Sequence, residues 1–394
     1  MVQKAQRIAN LPPYLFAQID KKKAEVAARG VDVISLGIGD PDLPSPPWVV
    51  ERMQQEVANP RWHRYPDYDG SLEFRQALCA FYARRFGVGD LNPKSEALAL
   101  IGSKEGLAHI IWAYINPGDI ALVPDPAYPV YRTHTGLAGG TAYTMPLTAA
   151  NHFLPDLDAI PAEVARQAKL LFVNYPNNPT GAVADLAFYA KAVAFCRQYD
   201  ILLVSDNAYS EMTYDGYSAP SALQVPGARD VTVEFWSLSK PFNMTGWRIA
   251  GVVGNAEAVA ALGLIKTNTD SGQYTAVQMA AIAALTDPRS EGFIREMNAI
   301  YRRRRDLAVA GLRSIGLDAT PCMGSFYLWV PVPAGYDSRG FAAKILEEAG
   351  VVVTPGVGYG ECGEGFVRLA LCLDEARLAE AIERIKAHVK VGVI

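Results

Sequence analysis

In the stretch Glu234 to Gly254, EFWSLSKPFNMTGWRIAGVVG, one lysine, Lys240, follows Ser237 and Ser239 and precedes Arg248, with apolar runs on both sides. A lysine where a hydrophobic strand runs out is either a solvated end or an amine placed for chemistry. Desolvated near other positive charge, such an amine loses basicity and can form a Schiff base with an aldehyde. The two serines and Arg248 offer hydroxyl donors and a bidentate cation that suit a phosphate monoester. Gly102-Ser103-Lys104 opens a segment of helical period, whose free N–H groups and dipole also favour an anion. By itself it reads as a plain helix cap, because the G-x-x-x-x-G-K-[ST] spacing is absent. Asp206 follows the apolar run ILLV and Ser205. An unpaired carboxylate is costly to bury there, so it requires an N-cap, a salt bridge or a protonated heterocycle nitrogen in a ligand. Aldehyde, phosphate and pyridinium nitrogen occur together in pyridoxal 5'-phosphate.

The elements that must bring these residues together are legible as apolar runs between residues 97 and 254: ALALIG, IALVPD, TAYTMPL, KLLFVNYP, ILLVSDNAY, VTVEFWSL and IAGVVG. Runs this uniformly apolar, separated by helix-length segments, predict a mainly parallel, seven-stranded sheet with helices on both faces. In such sheets ligands bind at the carboxyl ends of the strands, where Ser103, Asn174 to Gly181, Asp206 and Ser237 to Lys240 all fall. Beyond residue 285 the pattern changes to longer helices and fewer strands, predicting a smaller α+β domain. The expected division is an N-terminal arm and part of the small domain over 1–45, a large cofactor-binding domain over 46–285 and a small C-terminal domain over 286–394. Arg302 to Arg305 are expected on a solvated helix face.

The chain has 394 residues, 50% hydrophobic and 20% charged, with a formal net charge of −4. It lacks the broad basic field that nucleic acid or an anionic membrane would select. A small-molecule ligand is expected. No apolar run resembles a signal peptide or a membrane span, so the cytoplasm is the expected location. Five scattered cysteines without a C-x-x-C pair read as small buried hydrophobes, and the histidines show no ligand-like pairing, so no metal is expected.

In the order YPNNPTG, SDNAYSEMTY, SLSKPFNMTGWRIA and FVRLAL, the chain resembles the fold type I, class I/II aminotransferases that use pyridoxal phosphate. ISLGIGDPDLPSPP, YPDYDGSLEFRQAL, IGSKEGLAHI, PDPAYPVY and NMTGWR resemble more narrowly the branch of LL-diaminopimelate aminotransferase and its relatives. The resemblance implies that Lys240 carries the cofactor as an aldimine and then moves the substrate proton. It implies that Asp206 faces the pyridine nitrogen, that Tyr209 and Asn178 bond the phenolic oxygen, and that Tyr128 stacks on the ring. Ser103, Lys104, Ser237, Ser239 and Arg248 would hold the phosphate, joined by Tyr65 from the second subunit of a homodimer. Arg368 would clamp the substrate α-carboxylate, with Gly39 allowing close backbone approach. Lys104 and Tyr14 would serve the far end of the substrate, and Asn178 and Tyr128 would also touch it.

The implied reaction is ping-pong transfer of an amino group from an amino acid, with LL-diaminopimelate the favoured donor, to 2-oxoglutarate. The segment IKTNTDSGQYTAVQMAA contains no arginine for a distal carboxylate, which disfavours a simple aspartate aminotransferase. Alternatives are transamination of alanine, aromatic or other amino acids and, on the same cofactor, C–S β-elimination. A non-enzymatic pyridoxal-dependent regulator is disfavoured, since no DNA-binding segment stands before ISLGIGDPD.

Overall fold

A computed structural model describes residues 2–9, 11 and 15–389. A short strand, β1 (Ile34–Ser35), precedes seven strands that coincide with the seven apolar runs: β2 (Ala97–Leu100), β3 (Ile120–Asp125), β4 (Thr141–Pro146), β5 (Ala168–Val173), β6 (Leu202–Asp206), β7 (Thr232–Ser237) and β8 (Ala250–Gly254). They form one sheet in the order β2-β8-β7-β6-β5-β3-β4. Five strands, β3 to β7, run parallel, while β8 runs antiparallel to both β7 and β2. Every residue of β5 except Lys169, and every residue of β6 and β7, is buried. Burial on both faces explains why these strands read as continuous apolar runs without alternation.

Helices cover the sheet from both sides. Ser103–Tyr114 and Ala256–Thr267 pack with Leu107, Ile110, Ile111 and Leu262 against Leu98, Phe172 and Phe235. On the other face, Leu186–Tyr199 buries Phe188, Tyr189 and Val193 against Leu171 and Leu203. Several helix starts are local sequence decisions. Ser71, Asp185, Asn255, Asp337 and Asp374 each accept a hydrogen bond from a first-turn N–H, which satisfies a donor the helix cannot. Gly87 and Gly350 end their helices at φ +67° and +65°, where a side chain would be strained.

The remaining strands are β9 (Tyr327–Pro331), β10 (Val351–Val352), β11 (Thr354–Pro355) and β12 (Phe366–Ala370). β12 lies between β11 and β9, antiparallel to both, and β10 pairs in parallel with β1. The N-terminal segment is thereby built into the C-terminal part of the chain. The long helix Ser290–Arg313 buries Met297, Tyr301, Ala308 and Leu312 in the core beside β9 and β12.

Arg304 and Arg305 correct the expectation of a solvated RRRR face. Arg302 and Arg303 are exposed, but Arg304 is only 2% exposed and grips Asp42 with two nitrogens at 2.7 and 2.8 Å. Arg305, also buried, pairs with Asp215 at 2.6 Å. The buried stripe at 297, 301, 304, 308 and 312 follows helical spacing, so position 304 must face inward whatever its charge. The clamp ties the Gly39 to Asp42 segment to this helix. Removing one partner leaves the other charge poorly compensated: Arg304→Ala should lower the free energy of unfolding by about 3 kcal/mol in urea titrations, whereas Arg302→Ala should stay within about 0.5 kcal/mol.

Candidate active site

At the carboxyl edge of the parallel strands lies a cavity of about 430 Å³. Twelve of the expected residues line it: Gly39, Ser103, Lys104, Tyr128, Asn178, Asp206, Tyr209, Ser237, Ser239, Lys240, Arg248 and Arg368. They come from the ends of β2, β3, β5, β6 and β7, the start of β8, β12 and the N-terminal segment. Tyr65 does not line this cavity and stands 84% exposed on the surface. Tyr14 lies outside the described residues.

Lys240 Nζ donates to the carbonyl oxygen of Gly39 at 3.0 Å and sits 5.4 Å from the Phe326 ring centre. Desolvation brings its pKa down to about 8, so about a tenth of the amine is unprotonated at pH 7, far more than for an ordinary lysine. A Cβ at Gly39 would collide with the Tyr327 hydroxyl and ring, so only glycine brings this carbonyl to the lysine.

Asp206 ends β6 with 5% exposure. Oδ2 accepts a 2.7 Å hydrogen bond from Tyr131, and the main-chain oxygen accepts one from Asn174 at 2.6 Å. Oδ1 is buried without a hydrogen-bond partner. Burial pushes the carboxyl up to about 6, against the opposing effects of Tyr131 and Lys240. Glu234, on the adjacent strand β7, is the instructive contrast. Its two oxygens accept from Ser205, Ser221, Asn207, Tyr82 and the Ala222 N–H. Glu234 is a fully bonded buried acid, whereas Asp206 has one buried oxygen unbonded.

The helix Ser103–Tyr114 begins without a side-chain cap, and Ser103 Oγ is buried without a hydrogen-bond partner. Gly102, at φ +76°, packs so tightly on the Arg248 guanidinium that a Cβ would overlap it. Arg248 itself holds φ +55°. Its guanidinium donates to Thr245 O at 2.8 Å, and its carbonyl accepts from the Gln273 side chain. Gln278 supports Gln273 and also accepts from Ser71 N–H, both at 2.7 Å. Ser237 Oγ accepts the Ser239 N–H at 3.1 Å. A helix N-terminus, three hydroxyls and a guanidinium thus converge on one end of the cavity and suit a phosphate dianion.

Arg368, 1% exposed, also lines the cavity and donates to Asn178 Oδ1 at 2.8 Å and to Gly37 O at 2.6 Å. It stacks 4.1 Å from Tyr327 and 4.8 Å from Tyr359. Tyr209 meets the Tyr327 hydroxyl at 3.2 Å, and burial raises its pKa well above the usual phenol value. Lys104 Nζ lies 5.5 Å from the Tyr128 ring centre. Within YPNNPTG the roles divide: Asn177 and Thr180 bond each other, Gly181 turns at φ +68°, and Asn178 reaches the cavity.

Sequence reasoning missed Asp40, Tyr131, Tyr327 and Tyr359. Tyr131 carried a signal, since it falls one helical turn after Tyr128; Tyr327 and Tyr359 are brought in by tertiary folding. It also missed a second polar cluster. Glu105, His109 and Asp270 converge, but the buried Lys266 ammonium lies 3.4 Å from Glu105 and 3.1 Å from Asp270 and supplies the cation.

Comparisons with known proteins identify the family. Residues 31–385 match the family model for aminotransferase class I and II. The chain is 57% identical over 385 residues to LL-diaminopimelate aminotransferase of Moorella thermoacetica, covering 98% of each. Among solved structures it is similar to substrate-bound BacF from Bacillus subtilis, at 37% identity and TM-score 0.95 over 100% of each chain. It is also similar to a probable N-succinyldiaminopimelate aminotransferase from Thermus thermophilus, at 38% identity and TM-score 0.89, over 95% of this chain and 99% of that one. A match that spans nearly the whole chain places this protein in the aminotransferase class I and II family as an aminotransferase.

Proposed function

We propose that the protein is a pyridoxal-phosphate aminotransferase that takes the amino group of LL-diaminopimelate and delivers it, in ping-pong fashion, to 2-oxoglutarate. The observation that carries the cofactor assignment is the pairing of an unbonded Asp206 Oδ1 with a desolvated Lys240 in one cavity that ends in a phosphate-shaped donor set. When bound, pyridoxal phosphate supplies an electron sink that makes the substrate Cα–H acidic. The chain supplies everything else. Asp206 holds the ring nitrogen protonated; Tyr209 and Asn178 bond the phenolic oxygen; Tyr128 covers the ring face. Ser103, Lys104, Ser237, Ser239 and Arg248 hold the phosphate, and Tyr65 reaches the phosphate of a partner subunit in a homodimer.

Arg368 orients the substrate through its α-carboxylate, close to the Gly39 backbone, so that the Cα–H faces Lys240. The Lys240 amine would take up that Cα proton as general base and then, as general acid, give it up on the cofactor side of the substrate nitrogen. A lysine titrating near 8 is matched to both tasks at neutral pH. Support for the donor comes from relatives named LL-diaminopimelate aminotransferase at 52% to 57% identity. Lys104 and Tyr14 belong to the far end of the substrate in this reading. The same reading divides the chain into the arm at 1–45 and domains at 46–285 and 286–394, and includes a cytoplasmic location. Among the described residues, no helix is long and apolar enough to cross a membrane.

Loaded with cofactor, the protein should show a visible absorption band that Lys240→Ala abolishes together with turnover; a variant with near-normal turnover would sink the mechanism. For the donor, initial rates should be compared with LL-diaminopimelate, meso-diaminopimelate, alanine, aspartate and phenylalanine, each against 2-oxoglutarate. The LL-isomer should give the highest kcat/KM, and pyruvate release from cystathionine should be negligible beside it.

Lys240 also has a signature without cofactor. Its pKa of about 8 in the folded chain lies below the unfolded value of 10.5, so the protein bears the full cost of burying the charge below pH 8. That cost fades as pH rises from 8 to 10.5. Cofactor-free Lys240→Met should therefore be more stable than the parent at pH 7 by about 3 kcal/mol, with the difference vanishing near pH 10.5 in denaturant titrations.

A further inference from the structure

Six charged side chains line the cavity among the described residues: Asp40, Lys104, Asp206, Lys240, Arg248 and Arg368. Four are consumed by the proposed chemistry, at the ring nitrogen, the reactive amine, the phosphate and the α-carboxylate. Lys104 is already placed beside the phosphate and toward the far end of the substrate, which leaves Asp40 as the one charged group among these six without a role. Asp40 follows Gly39, whose carbonyl receives Lys240, and its carboxylate makes no hydrogen bond or ion pair with any described residue. It is exposed, yet close enough to Lys240 to act on that amine's charge. The backbone beneath it is fixed. Tyr327 packs on Gly39, and two residues beyond Asp40 the Asp42 carboxylate is clamped by Arg304 at 2.7 and 2.8 Å.

A carboxylate held in a substrate cavity otherwise rich in cations works against an anionic amino acid. It favours a substrate with a second positive charge away from Cα. Glutamate and aspartate have none; diaminopimelate carries a complete second amino-acid head, one ammonium and one carboxylate on the same distal carbon. We infer that Asp40 is a specificity residue that receives the distal ammonium of the donor, while Lys104 receives the distal carboxylate; this rests on the diaminopimelate reading above.

Two opposite charges plus the tethering chain fix three of the four groups on the distal carbon. Inverting that carbon exchanges ammonium with hydrogen and moves the ammonium away from Asp40. The pair therefore distinguishes LL from meso at a centre where no bond is made or broken. The acceptor 2-oxoglutarate presents only a carboxylate, which the flexible Lys104 stem can follow while Asp40 stays solvated.

The test compares LL-diaminopimelate with L-2-aminopimelate, the same seven-carbon dicarboxylate without the distal amine, in the parent enzyme and in Asp40→Asn and Asp40→Glu. Any general effect of Asp40 on Lys240 acts on both donors and cancels in their ratio. For Asp40→Asn the ratio of kcat/KM values should fall by about 10- to 100-fold, the worth of one hydrogen bond to a charged group. The LL-to-meso preference should fall with it, and Asp40→Glu should recover part of both. As a readout independent of turnover, the affinity of cofactor-free protein for the reduced phosphopyridoxyl conjugate of each donor, measured by calorimetry, should show the same change of ratio. An unchanged ratio, or equal losses with both donors, overturns the role of Asp40 and leaves the aminotransferase reading intact. A parent enzyme that uses neither LL-diaminopimelate nor its meso isomer overturns the donor assignment and this inference with it.

Discussion

The hydrogen bond from Tyr131 to one oxygen of Asp206 is the interaction around which the site is organised. It fixes the carboxylate at the end of β6 and satisfies only half of it, leaving the second oxygen buried and unbonded. Holding a carboxylate this way demands rigid surroundings. Tyr131 stacks on Phe172 of β5 with ring centres 4.8 Å apart, and Asn174, just past the same strand, ties down the Asp206 main chain. Since β3, β5 and β6 are consecutive neighbours in the sheet, three successive strand ends contribute to one carboxylate. Sheet order, rather than any one loop, places it.

Buried acids on adjacent strands show how hydrogen-bond accounting separates scaffold from chemistry. Glu234 anchors the loops around Ser221 and Asn207 and has its acceptor capacity filled. Asp206 is equally buried, and its capacity is not filled. In the proposed reaction that difference is the function: the second oxygen would accept from the protonated ring nitrogen of the cofactor.

Much of this was legible in the chain because parallel strands buried on both faces announce themselves as apolar runs, and the polar residue ending each run is where ligands gather. Ser103, Asp206, Ser237, Lys240 and, beside them, Arg248 were readable from the residues themselves, and the pattern of motifs extended the reading to Arg368. What failed to show was whatever depends on distant partners. Arg304 was hidden by its neighbours, because four consecutive arginines suggest solvent while helical period puts one of them inside. Tyr327 and Tyr359 look like ordinary aromatics until folding stacks them on Arg368. Asp40 lies in a loop whose position is decided by β1 pairing with β10 at the far end of the chain, a contact no local pattern encodes.

The reversed direction of β8 has a mechanical consequence. A parallel strand after β7 would need a crossover to the opposite edge of the sheet before re-entering it. An antiparallel one lets the chain leave β7 and return into β8 at the same edge, so Lys240 and Arg248 sit on a single short connection. Their spacing is a local gauge, insensitive to movement elsewhere in the molecule. Arg368 belongs to a different sheet and meets the cavity through contacts with Asn178 and Gly37. The molecule thus grips the proposed cofactor with a fixed jaw and the proposed substrate with one whose position depends on how the two sheets are set against each other.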